Sequence, residues 1–398
     1  VEFRHESLVS SNPWQIDAGL QIRPAIAAVD GERDVWAAYA EFNIPVLSTL
    51  DVQVAARADE YSDFGSAFSP KAGVRWKPLD WLALRASASR GFRAPSLSEN
   101  SASTMISYGS VIDPYDPDLP NSRQSPTFFT VGNTNLEPEK TRSYNLGVVF
   151  TPTRDTALSI DWYQIKVADA VGVLGVGNGI RYCFNDGGNN PTFDPNNYYC
   201  TLQDRGTNDG YMINPRQPLL NLGQFNVTGI DLQLDWRLHL GDVGLPDEGQ
   251  LSVSSAISYL NSFEIQALPG APTYDYAGTW GTAIEANAGQ AHPEWKASTS
   301  VTYSRDSWNV GLRWRHMSEM INSARVTSPT STARGVDAYD VFDLNARVTL
   351  PYDTSLRFTV TNLFNEAPPQ VGDVRGTYDP QNYDTIGRYY TVAVTKTF

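Results

Sequence analysis

The sequence predicts an all-β protein, an antiparallel β-barrel of the kind that crosses a membrane. Three observations predict it: apolar residues recur with period two, the alternating runs are long, and short connections alternate with long ones. From Thr228 to Leu240 the residues Ile230, Leu232, Leu234, Trp236, Leu238 and Leu240 are large and apolar, with Asp231, Gln233, Asp235, Arg237 and His239 between them. The same split recurs at Leu50, Val52, Val54 and Ala56, at Trp308, Val310, Leu312 and Trp314, and at Phe342, Leu344, Ala346, Val348 and Leu350. A soluble sandwich also alternates, so the lengths carry the decision.

In chain order the strands fall near 1–7, 33–46, 50–63, 67–78, 82–96, 137–151, 155–169, 224–240, 250–264, 293–305, 308–322, 338–350, 354–366 and 386–398, about fourteen in all. Most are about 12 to 17 residues long, where soluble strands run to about 5 or 6 and a tilted membrane strand needs about 9 to 11. Tight connections at 45–49, 77–81, 151–155, 304–307 and 351–353 alternate with long ones at 97–138, 172–223, 265–292, 323–337 and 367–385. Outer-membrane barrels are built this way, with brief periplasmic turns and extended outer loops. Two connections break the pattern without changing the parity: 62–66 is short where a long one is due, and 241–249 is longish for a turn. Trp36, Trp76, Trp81, Trp295, Trp308 and Tyr352 sit near strand ends, as interfacial girdles require.

Composition agrees. The 398 residues are 41% hydrophobic and 12% aromatic, with 30 Gly and 25 Pro, and the mean hydropathy is -0.34, which suits turn-rich strands that are apolar on one face only. No run of about 18 apolar residues exists, which excludes transmembrane helices. A net charge of -14 argues against a nucleic-acid partner, because phosphate binding needs a basic face. The opening Val1 to Glu6 reads as strand, with no initiator Met or leader, so processing or truncation is expected to have removed what came before.

Chemistry-bearing patterns are sparse. His5, His239, His292 and His316 are dispersed, and neither a His-Glu-x-x-His pair nor a Gly-x-Ser-x-Gly elbow occurs, so enzyme activity is not expected and nothing calls for a cofactor. Gly175, Gly177 and Gly179 have the composition of a phosphate loop, but they precede polar coil and read as loop flexibility. Asp113, Asp116 and Asp118 could offer hard oxygens to calcium, although solvated loop carboxylates account for the pattern as well. Cys183 and Cys200 are too few for a disulfide scaffold and lack the spacing of a zinc site. A single loop-closing disulfide is the simplest reading, and it implies an oxidising compartment.

Two resemblances sharpen this. The segment Ile386 to Phe398 puts Tyr390, Val392, Val394 and Phe398 on one face of a final strand, and resembles the signal by which the barrel-assembly machinery recognises bacterial outer-membrane proteins. Lys396 departs from that pattern, but near the periplasmic interface its long side chain can snorkel. The broader resemblance covers nearly the whole chain. Leu84-Arg85-Ala86-Ser87-Ala88-Ser89-Arg90-Gly91-Phe92-Arg93-Ala94-Pro95-Ser96-Leu97-Ser98-Glu99 is its densest motif. With it come Tyr39 to Pro45, Phe68 to Trp76, Asn135 to Gly147 and Val360 to Asn365, in the order seen in TonB-dependent receptors of Gram-negative bacteria.

That resemblance implies a 22-stranded barrel enclosing an N-terminal plug. The fourteen strands would be its C-terminal part, with the plug and the TonB box absent, so the chain looks like a fragment. The complete receptor would sit in the cell outer membrane and import a scarce nutrient: a ferric siderophore, an oligosaccharide or a cobalamin-like molecule. Its partners would be outer-membrane lipid and lipopolysaccharide, the barrel-assembly machinery, a small-molecule or oligosaccharide ligand, and the TonB complex, reached through the missing N-terminal part. Arg85, Arg93, Glu137 and Glu139 would face the lumen and touch the plug. Aromatics of the outer segments, namely Tyr108, Tyr115, Phe128, Phe129, Tyr182, Phe184, Tyr198, Tyr199, Tyr211, Tyr274, Tyr276 and Trp280, could stack on sugar rings or bracket a siderophore, or pack the loops on one another. The alternative is a passive porin-like or adhesin barrel that binds through its outer loops.

Overall fold

Alternating sequence becomes a single up-and-down meander. The computed structural model describes residues 1–397 apart from 19, 21–27, 109–110, 114–115, 117, 119, 121, 125–126, 186–187, 206–211, 245–248, 270, 282–290 and 372–377. Fourteen long strands follow one another: β1 (Glu2–Ser10), β2 (Val29–Leu47), β3 (Leu50–Tyr61), β4 (Gly65–Leu79), β5 (Leu82–Arg93), β6 (Glu139–Thr153) and β7 (Thr156–Val173). Then come β8 (Arg216–His239), β9 (Gln250–Gln266), β10 (Trp295–Arg305), β11 (Trp308–Met317), β12 (Tyr339–Leu350), β13 (Thr354–Thr361) and β14 (Tyr389–Lys396). Each long strand pairs antiparallel with its predecessor and successor among these fourteen. Among the described residues β1 has only β2 beside it and β14 only β13, so the sheet is an open segment of barrel wall. No helix of the described residues is long and apolar enough to cross a membrane.

Register aligns the apolar stripes across the wall. One row runs Ile44, Val52, Val74, Ala86, Leu146, Trp162, Ile230, Tyr259, Trp295 over β2 to β10, each residue directly opposite the next. Another runs Trp236, Val253, Val301, Leu312, Leu344, Val360, Tyr390 over β8 to β14. Many side chains of this face stand out from the sheet with nothing over them: Leu146 and Tyr390 of these rows are 55% and 58% exposed, and nearby Phe42 and Trp76 are 61% and 46%. An apolar belt this extensive is unfavourable in water and is the face that hydrocarbon covers.

Buried apolar residues gather in three clusters, two made of loop side chains at the long-loop rim and a third where Ile265 near the end of β9 packs with Tyr276. The loops carry short elements that period-two reasoning did not show. Thr104–Tyr108 and Thr127–Val131 form a hairpin, and the second of these also runs parallel to the start of β8, an exception to the antiparallel rule. Residues 175–179, expected to be coil, instead open an α-helix, Val176–Cys183, whose Val176 and Ile180 are buried. Burial of that face overrides the low helix propensity of its glycines. The strands themselves depart from expectation mainly at the outer rim, where β8 begins at Arg216 rather than near 224 because it climbs beyond the membrane to meet the loop hairpin.

Candidate functional site

The face opposite the apolar belt is polar, and several of its charges are paired within the wall. Arg85 on β5 reaches across β6 to Asp161 on β7, Nε donating to Oδ1 at 2.8 Å and Nη2 to Oδ2. The residue between them is Gly147, where a Cβ would overlap Asp161 and lie 2.6 Å from Arg85 Nε. On β11 and β12, Arg315 makes a two-point contact with Asp343, at 2.9 and 3.1 Å. Bidentate guanidinium–carboxylate pairs fix both side chains as well as neutralising them.

The densest sequence motifs meet at the outer end of β5. Arg93 donates to Glu99 at 2.9 Å and to Glu139 at 2.7 Å, while Glu139 also accepts from the Val171 amide at 2.8 Å. Arg33, 9% exposed, donates to the Pro95 carbonyl at 2.7 Å and pairs with Glu6 and Asp63. Burial alone would raise the Glu99 carboxyl, but Arg93 and the Ser96 amide outweigh it and hold the group below its ordinary value. This junction ties β5, its outgoing loop, β6 and β7 into one unit. Glu137 pairs instead with Lys140 at 3.2 Å on the outer rim, and Asn221 brackets its backbone. Arg85, Arg93, Glu137 and Glu139, expected to face a plug, each have partners in the wall and rim.

Two loop cores flank the mouth. In the first, Leu174, Leu202 and Leu268 are buried, with Tyr182 and Tyr199 packed against them. Cys183 and Cys200 are joined by a disulfide. Asn190, 2% exposed, threads the loop so formed, its side-chain amide donating to the Cys183 and Asp194 carbonyls at 2.8 and 3.1 Å. Beneath the disulfide is a pocket of about 280 Å³ lined by Phe184, Phe193, Pro195, Gln203 and Arg205. Gln203 is 8% exposed, and among the described residues both polar atoms of its amide lack a partner, which is costly unless something else satisfies them. Arg205 is held by Asp113 through two bonds of 3.0 and 2.9 Å, beneath the Phe184 ring.

In the second core Trp280, Met320, Val336, Val371 and Tyr383 pack together, joining three outer loops. Trp280 Nε1 donates to Asp379 at 3.1 Å, and Asn382 and the Gln381 amide donate to the same carboxylate. Burial pushes Asp379 up, yet these four donors, counting the Asn382 amide, hold it below the usual carboxylate value. Burial, then the nearby Asp379 charge, pushes the Tyr383 phenol up to about 12.

Two sets of expected ligand contacts are thereby corrected. Tyr276 and Trp280 are fully buried, so they present no ring face to a ligand and serve as loop core. The calcium candidate also fails: Asp113 is taken by Arg205, Asp116 accepts from the Asp118 amide at 3.1 Å, and no described group of acidic, His or Cys residues could hold a metal. Tyr198 is 48% exposed and Tyr274 half-buried. Tyr115, Tyr211 and Phe398 lie outside the described residues, as does the Tyr108 side chain. Tyr390, Val392 and Val394 lie on β14, and all three are exposed.

Comparison with known proteins matches this architecture. The family model described as TonB dependent receptor-like, beta-barrel, matches residues 2–363. The chain belongs to the TonB-dependent receptor β-barrel family. A probable TonB-dependent siderophore receptor, PirA of Acinetobacter baumannii, is 26% identical over 174 residues, 43% of this chain and 22% of the relative. The ferric enterobactin receptor PirA of Pseudomonas aeruginosa is 28% identical over 156 residues, 37% of this chain and 20% of the relative. Among solved structures, a variant of the ferric enterobactin receptor PfeA of P. aeruginosa, in complex with enterobactin, superposes with a TM-score of 0.62 at 15% identity, over 93% of this chain and 46% of that one. The FrpB iron transporter of Neisseria meningitidis superposes with a TM-score of 0.56 at 12% identity, over 98% and 51%. At such identities the superpositions show the fold, and the chain spans about half the length of those two solved proteins. Of the site residues that sequence reasoning did not single out, Asp161, Arg205 and Asp379 had no short-range signal because a partner comes from a distant strand or loop, whereas the partners of Asn190 are local, in the Asn-rich segment between the cysteines.

Proposed function

We propose that this chain supplies the C-terminal wall and outer loops of an outer-membrane receptor that imports a ferric siderophore, with energy delivered by the TonB complex through an N-terminal plug. Membership of the barrel family over nearly the whole chain carries the reading, and the two curated relatives are described as a probable TonB-dependent siderophore receptor and a ferric enterobactin receptor. The receptor's work is selective binding and gated passage, with no covalent chemistry. Ligand capture falls to the outer loops, where the pocket under the disulfide offers what a chelate with flat aromatic arms needs: the Phe184 and Phe193 rings and the unpartnered Gln203 amide. The polar wall face carrying the Arg85–Asp161 pair lines the path around the plug. The barrel-assembly machinery would insert the protein by its final strand.

The test is growth on single ferric siderophores as the only iron source, in a strain lacking its own siderophore receptors and expressing the complete receptor that contains this chain. Growth on at least one siderophore, abolished by deletion of TonB, is the expected result. Growth that persists without TonB would favour a passive pore and sink the proposal.

A further inference from the structure

In the pocket beneath the Cys183–Cys200 bond, one wall residue is buried and two are open to water. Gln203 is the buried one, and among the described residues its side-chain oxygen and nitrogen both go without a partner. Its backbone is accounted for, because its N–H donates to the Cys200 carbonyl at 3.3 Å. A primary amide presents a donor and an acceptor in one plane, and leaving both unanswered in a buried place costs more than an apolar side chain of the same size would. Such a group in a pocket wall is explained by what enters the pocket.

Phe193 and Pro195 are the open ones. Phe193 is 61% exposed and holds a φ of 52°, the left-handed region that a residue with a bulky side chain avoids. Asn190 keeps it there: its carbonyl accepts from the Phe193 amide at 3.0 Å, and its side-chain oxygen accepts from the Asp194 amide at 2.9 Å. Strain of this kind, over-determined by its surroundings, is characteristic of ligand clamps. With Phe184 the wall offers two aromatic rings, which suit a flat apolar group.

The pocket also has no spare charge. Arg205 is the one charged residue in its described wall, and Asp113, 1% exposed, neutralises it through two bonds. A catecholate or carboxylate buried here would lack a counter-ion, which disfavours it. The volume, about 280 Å³, lies below the roughly 300–1,000 Å³ of pockets that enclose a drug-sized molecule. It admits a single ring with its substituent and excludes a whole chelate.

We propose that this pocket is a specificity site for a neutral planar ring bearing a hydrogen-bond donor and acceptor next to one another, the edge presented by an aromatic primary amide or a lactam. Gln203 meets that edge with its own acceptor and donor, the two-point match by which a glutamine reads adenine, while Phe184 and Phe193 cover the ring. The inference rests on the reading of these loops as the capture surface and deepens it. The group recognised here is a neutral arm of the ligand, distinct from the anionic oxygens that would hold iron.

The test is ligand-observed NMR on the complete receptor in detergent, with benzamide as the probe and benzoate, of the same shape but with an anionic, acceptor-only edge, as its counterpart. Benzamide is expected to bind, and benzoate to bind at least about tenfold more weakly, a contrast that needs no variant. Gln203→Leu should weaken benzamide by about tenfold to a hundredfold, the worth of two neutral hydrogen bonds. Because that substitution removes no side-chain hydrogen bond from the described fold, the 183–200 loop should resist protease at least as well as in the wild type. Equal binding of benzamide and benzoate, or benzamide binding unchanged in Gln203→Leu, would overturn the site. Absence of benzamide binding in a receptor that supports TonB-dependent growth on a siderophore overturns the pocket alone. Benzamide binding of the expected kind in a receptor that supports no such growth upholds the pocket and overturns the transport reading.

Discussion

Arg85 reaches Asp161 only because the residue between them, Gly147, has no side chain. Three adjacent strands are cross-linked on the lumen side by one guanidinium, and the glycine is the gap through which it passes. Gly147→Ala is expected to cost about 1–3 kcal/mol, the range for forcing atoms into filled space. Gly73→Ala, where a Cβ would meet its neighbours at no less than 3.7 Å, should cost far less. Urea unfolding from lipid vesicles compares the two, and equal effects would refute the spacer role.

The orientation of the wall predicts a second contrast. Leu234 lies opposite Leu158 in the belt, and Gln233 faces the other way. Leu234→Arg should lower stability in vesicles by about 2–4 kcal/mol, the cost of a cation near the bilayer midplane, while Gln233→Arg should cost much less.

Reduction should act on a loop and leave the wall intact. Breaking the Cys183–Cys200 bond, which closes a separation of 17 residues, releases loop-closure entropy worth about 3 kcal/mol. Limited proteolysis should then cut near Asn190, with the unfolding transition of the barrel unchanged in vesicles. Resistance to protease after full reduction would show that Asn190 and the Leu174 cluster suffice.

Acid should loosen the second loop core. Asp379 is held below its ordinary pKa of 3.8 by Trp280, Asn382 and backbone amides acting against burial. A carboxyl depressed in the folded state contributes stability that is complete above its unfolded value and is lost as the pH falls through the folded one. Protection of the 279–280 and 379–383 amides from hydrogen exchange should therefore fall below about pH 4, and Asp379→Asn should flatten that dependence. An unchanged profile in the variant would assign the transition to another group.

Much of this was legible in the sequence, and for a physical reason. Leu50 to Ala56 and Ile230 to Leu240 announce strands because a wall between lipid and polar lumen imposes period two on every residue it contains. Loops obey no such constraint. Gly175 to Gly179 has the composition of coil, and only the burial of Val176 and Ile180 makes it helical. Trp280 has the composition of a ligand contact, yet its partner Asp379 is 99 residues away and turns it inward. Cross-strand pairings such as Arg93 with Glu139 could be placed on one face from their spacing, but their mutual satisfaction became visible only with register.

The meander has one more consequence. Because each of the fourteen wall strands takes its wall ladders only from its sequence neighbours, the wall of the described residues contains no crossover that an added or deleted hairpin would tangle. Two strands can enter or leave as a unit while every remaining ladder keeps its partner and both termini stay on the short-turn rim. The wall can therefore change circumference by duplication, in steps of two, without inventing new pairings. The loops joined through Trp280 and Asp379 lack that freedom, for a change of length in one of them displaces a side chain on which two others are built.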